Sequence, residues 1–151
     1  MKPNNIIRIS IVALLAVTVA GISSCKKEED KILRSKSYTM STYDNSGISG
    51  TVEFKENENG STTIHTHMMG TMDGLSYPAH IHNGPITAPG GVNIDLGPFA
   101  SSGGMTTSDK TVTNDYDEMI AFNGCFVAHN PQAADPLTSY VLVGNIGSNA
   151  P

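Results

Sequence analysis

From Ser37 onward, no β-prone run lasts more than about a dozen residues before Gly, Asn or Pro breaks it. This punctuation leaves little room for long helices. It predicts short strands at Ser37–Tyr43, Ile48–Phe54, Ser61–Met72, Ala79–His82, Val92–Leu96, Lys110–Val112, Cys125–Ala128 and Thr138–Val143. Asn59-Gly60 is a hairpin signal between the second and third of these. One segment has helical spacing: Tyr116, Met119, Ile120 and Phe122, with Asn114 as the expected N-cap and Gly124 as the expected stop. Seven or eight short strands with one helical turn specify an all-β antiparallel sandwich or barrel, and 151 residues allow one domain.

The first part of the chain reads as an address. Lys2 and Arg8 precede an apolar run from Ile9 to Ala20, which is the length of a signal h-region and shorter than the ~20 residues of a membrane span. Gly21-Ile22-Ser23-Ser24-Cys25 then resembles a bacterial lipobox. The expectation is a signal peptide over residues 1–24 and a lipidated Cys25 at an envelope membrane, here the outer membrane. A solvated tether would occupy residues 25–36, and the folded domain residues 37–151. Within 37–151 there are two bases, Lys55 and Lys110, against eleven acids. Such a domain repels phosphate, so nucleic acid is not an expected partner. With Cys25 lipidated, Cys125 has no disulfide partner and reads as a small buried apolar side chain.

Chemistry concentrates in the histidines. His65 and His67 form one H-x-H pair, and His80 and His82 another. Residues i and i+2 of a strand share a face, so each pair offers two imidazoles together. If Ser61–Met72 and Ala79–His82 pair as a hairpin, all four lie on one ribbon. Imidazole suits copper and zinc, and the thioethers of Met68 and Met69 suit Cu(I). The alternative is structural, with the H-x-H histidines hydrogen-bonding the following Gly- and Pro-rich loop onto the sheet. No phosphate-binding glycine motif or serine-nucleophile elbow is present.

Several segments, taken in order, resemble the CHRD (chordin-type) domain family. They are Gly70–Leu75, Pro78-Ala79-His80-Ile81-His82-Asn83-Gly84, Gly91–Leu96, Tyr116–Gly124, Phe126–His129 and Val143–Asn149. The same order is more distantly similar to Cu/Zn superoxide dismutase. That likeness implies a Greek-key β-sandwich or barrel, superoxide dismutase-like or immunoglobulin-like. It also implies His80, His82 and His129 as metal ligands; the H-x-H spacing alone leaves His65 and His67 as second candidates. No His lies between His82 and His129, and no Arg follows Arg34, so the bridging ligand and the residue that guides superoxide are missing. Dismutation is therefore not expected. The leading expectation is an envelope-anchored binding module, not a catalyst, that meets a protein or small ligand. The competing one is a copper- or zinc-binding module for storage, delivery or weak redox chemistry. If His129 shares a face with the other histidines, strict alternation puts Cys125 and Val127 there too, which requires cover from the Asn83–Gly91 loop.

Overall fold

A computed structural model describes residues 31–151. The expected signal peptide and Cys25 lie outside these residues. Eight strands run in the order β1 (Ile32–Thr42), β2 (Ser49–Asn57), β3 (Thr62–Met69), β4 (Ser76–Asn83), β5 (Val92–Ala100), β6 (Met105–Val112), β7 (Asn123–His129) and β8 (Tyr140–Gly147). Helix α1 (Tyr116–Ala121) precedes β7, and a 3-10 turn (Pro136–Thr138) precedes β8. The sheet order is β5-β4-β7-β8-β1-β2-β3-β6 with antiparallel neighbours, and β5 meets β6 to nearly close a barrel. The pairs β3–β6, β4–β7 and β1–β8 are not consecutive, so connections cross between halves in the Greek-key manner. No described helix is long and apolar enough to cross a membrane.

Period-two alternation builds the core. Val52, Phe54, Ile64, Met68, Ile81, Phe126, Leu142 and Ile146 are fully buried. Each such side chain contributes about 1.5–3 kcal/mol by leaving water. The β2–β3 hairpin turns as the Asn-Gly signal predicts, with Gly60 at φ +82°. Asn57 is buried at that turn, and its Nδ2 donates to Ser61 Oγ and Thr63 Oγ1.

Four expectations need correction. The tether does not extend to residue 36, because β1 starts at Ile32 and pairs Ile32, Ser35 and Lys36 with Asn57, Lys55 and Phe54 of β2. Arg34 explains this. Its guanidinium bonds the carboxylates of Glu56 and Asp117 and lies 4.6 Å from the centre of the Tyr116 ring. The Glu56 and Asp117 carboxylates hold the Arg34 pKa above its ordinary value, and Arg34 holds Glu56 below its own. The described domain thus carries five bases against eleven acids.

The helix cap is Asp115, not Asn114: Glu118 N donates to Asp115 Oδ1 at 2.8 Å. The helix also stops at Ala121, before Gly124, which belongs to β7 and packs close to the Phe122 ring.

The segments containing His65/His67 and His80/His82 are not hairpin partners. β3 pairs with β2 and β6, whereas β4 pairs with β5 and β7. The intervening segment crosses the barrel instead of turning back. Gly70 N and Thr71 N donate to Gly104 O, Gly74 N donates to Ser101 O, and the hydroxyls of Thr71 and Ser101 meet at 2.7 Å.

Candidate metal centre

The register of β4 against β7 places the histidines. Ala79 faces Ala128 and Ile81 faces Phe126; all four are buried in the main core. His80 faces Val127 and His82 faces Cys125, so these side chains occupy the opposite face of the sheet. His129 follows two residues after Val127 on that face, with a register shift against β8 between Ala128 and His129. The face is covered as alternation requires. Cys125, Val127 and Val143 form a second buried cluster, against which Ile86 of the loop and Tyr140 pack.

One ring nitrogen from each of His80, His82 and His129 lies within 4.8 Å of the other two. His80 Nδ1 donates to His129 Nε2 at 2.9 Å, a hydrogen bond that a bound ion would replace. The ring centroids of His80 and His129 are 4.9 Å apart, those of His80 and His82 5.7 Å. Metal–imidazole bonds of about 2.0–2.1 Å set nitrogens about 3.3–3.5 Å apart in a trigonal or tetrahedral set. Binding an ion there requires the rings to turn to that spacing.

The opposite nitrogens of His82 and His129 have hydrogen-bond partners, and that of His80 faces a carboxylate. His82 Nδ1 donates to Gly90 O at 2.8 Å, and His129 Nδ1 donates to Pro136 O at 2.9 Å. His80 Nε2 stands 3.6 Å from Asp95 Oδ1 on β5. A neutral imidazole that donates its Nδ1–H presents its Nε2 lone pair to a ligand. His82 Nε2 is buried without a hydrogen-bond partner, a costly state for a polar atom unless a ligand meets it. Holding the outer nitrogens on carbonyls, as at His82 and His129, is a usual way to orient metal-binding imidazoles.

Burial lowers the pKa of His80; the nearby Asp95 charge opposes this and His82 adds to it. Burial likewise lowers His129, against the Pro136 hydrogen bond. Both rings are therefore biased toward the neutral form that coordinates metal. Burial raises the Cys125 thiol, which disfavours the thiolate, and Cys125 is not in the three-histidine cluster. The Tyr140 ring meets His129 edge-on at 5.4 Å, and it lines a polar cleft of about 520 Å³ with Tyr43, Asp44, Asn130, Thr138 and Ser139.

His65 and His67 take no part in this cluster. His65 Nδ1 is 2.8 Å from Asp109 Oδ1, and His67 Nδ1 is 3.2 Å from Thr107 Oγ1, both across β3–β6. Met68 is buried in the core, whereas Met69 is exposed. Asp95, Tyr140 and the carbonyls of Gly90 and Pro136 carry no motif that singles them out in sequence.

Fold and centre together describe an all-β Greek-key barrel bearing a three-histidine cluster on one sheet face. The chain matches no protein-family model and no curated protein sequence.

Proposed function

We propose that this domain is a metal-binding module of the cell envelope, taking zinc or copper at His80, His82 and His129. The observation that carries the reading is the division of each ring: one nitrogen of each converges on the others, while its opposite nitrogen faces Gly90 O, Pro136 O or Asp95. Three imidazoles leave an open coordination position and suit Zn(II) and copper. The module binds and hands on metal without turning over a substrate. Eleven acids and the lack of any Arg after Arg34 favour cations over an anion such as superoxide. The likeness of residues 46–150 to CHRD domains accords with a binding role, and the lipobox-like Gly21–Cys25 with an anchor at the outer membrane. The protein's partners on this reading are that membrane and whatever delivers or accepts the ion.

Calorimetric titration with Zn(II) and Cu(II) tests this on the wild type and on a His80→Ala, His82→Ala double variant. The reading requires tight binding to the wild type and its loss in the variant; unchanged binding rejects it. For the anchor, lipid labelling that persists in Cys25→Ser rejects the assignment.

The bond from His82 Nδ1 to Gly90 O favours a second reading, in which His82 fastens the loop to the sheet. On that reading His82→Ala lowers stability and leaves metal affinity unchanged.

A further inference from the structure

The outer face of β2, β3 and β6 is a ladder of directly paired residues. One rung is Lys55, Thr63 and Thr111; the next is Glu53, His65 and Asp109; the next is Thr51, His67 and Thr107. These rungs are polar, as a solvated strand face requires. The last rung breaks the pattern, because Ser49 is followed by Met69 and Met105. Met69 is 46% exposed and Met105 48%, so neither is there to fill the core. Directly paired strand residues hold their Cβ atoms about 4.5–5.5 Å apart. Two unbranched side chains with three torsions each can then bring both sulfurs to one point.

His67 lies two residues before Met69 on the same strand face. Its Nδ1 is held by Thr107 Oγ1, which leaves Nε2 for a ligand. Asp73 Oδ1 accepts the amide of Gly104, the residue before Met105, so a carboxylate stands beside this end of the ladder. The neighbouring acids Glu53 and Asp109 add to a field that attracts cations.

We propose that Met69, Met105 and His67 form a second metal site, selective for Cu(I). Thioethers are soft ligands and select monovalent copper over zinc, magnesium or calcium. This site belongs to β3 and β6, whereas the three-histidine cluster belongs to β4 and β7, so the two bind independently. The softer site takes the reduced ion and the all-imidazole site takes a divalent one.

The test uses the full chain with its methionine methyl groups labelled for NMR, under anaerobic reducing conditions. Ag(I), a redox-inert soft ion, is titrated first. The ε-methyl signals of Met69 and Met105 are expected to move together and saturate at one equivalent, while buried Met40, Met68 and Met119 stay in place. Cu(I) affinity is then measured against a coloured Cu(I) chelator. Met69→Leu with Met105→Leu keeps the apolar volume and removes both sulfurs. This variant is expected to weaken Cu(I) by about tenfold or more at this site, the loss of a soft donor pair. His67→Gln is expected to weaken it less, and Met72→Leu, a nearby exposed methionine, not at all. Zn(II) binding is expected to be the same in all these variants. The proposal is overturned if the two methyl signals do not move, or if the double Leu variant holds Cu(I) as tightly as the wild type.

Discussion

Replacing Asp95 with Asn isolates the electrostatic support of the three-histidine centre. Asn retains the side-chain oxygen that accepts Gly97 N at 2.7 Å, so the local turn in β5 survives. What disappears is a negative charge 3.6 Å from His80 Nε2. A bound ion places part of its charge on the His80 ring, for which two unit charges about 4 Å apart set the upper scale: about 1 kcal/mol in bulk water and about 4 kcal/mol where the effective dielectric constant is about 20. The Asp95 side chain is 72% exposed, which places the pair toward the watery end. A loss of about 1 kcal/mol corresponds to roughly fivefold in affinity. Outer carboxylates on metal-binding histidines are typically worth about 10–100-fold, so the expected weakening falls below that range, as suits an exposed carboxylate 3.6 Å away. Zn(II) titration against a competing chelator, at low and high salt, measures it. The deficit is expected to shrink as salt screens the wild-type charge, and the metal-free melting temperature is expected to stay the same. An Asp95→Asn variant that binds Zn(II) as tightly as the wild type at low salt refutes the argument that Asp95 supports His80.

Three further outcomes follow from particular contacts. His80 and His129 have lowered pKa values in the fold, so the unfolded chain takes up protons first as pH falls. Metal-free stability in urea is therefore expected to be fully present above the ordinary histidine value of about 6.5 and to be lost progressively below it, toward the lowered folded values; a His80→Gln, His129→Gln variant is expected to show a shallower decline. A chain beginning at Ser37 is expected to melt below one beginning at Lys31, because it lacks Arg34 and the start of the β1–β2 ladder; equal melting curves would restore the tether reading for residues 31–36. Gly147→Ala is expected to cost more than about 1 kcal/mol in urea unfolding, since Gly147 has φ +61° and a Cβ there would sit 2.0 Å from Phe122 O.

The strands were legible where alternation and turn residues coincide. Val52, Phe54, Ile64 and Ile81 mark the inner face, and Asn59-Gly60 marks the hairpin. The start of β1 was not legible, because residues 32–37 are all exposed and show no buried alternation. Their order comes from Arg34 reaching Glu56 and Asp117, the latter 83 positions away. Strand pairing was equally hidden. The glycine-containing segment after β3 reads as a hairpin turn, yet its amides bond to Gly104 and Ser101 and carry the chain across the barrel.

At the site, the H-x-H spacing showed that His80 and His82 share a face. His129 has no H-x-H partner and no spacing of its own that marks it; the β4–β7 register brings it to them. The parts that orient the rings were invisible beforehand. Two are backbone carbonyls, and Asp95 is one acid among eleven in the domain until β5 is laid beside β4.

X-ray absorption at the zinc edge, on protein loaded with one equivalent of Zn(II), tests the metal centre most directly. The account predicts a first shell containing three nitrogens at about 2.0–2.1 Å, with the outer-ring scattering of imidazole. That signature is expected to fall away in the His80→Ala, His82→Ala double variant. A first shell of oxygen alone, or the same spectrum from the variant, would contradict it.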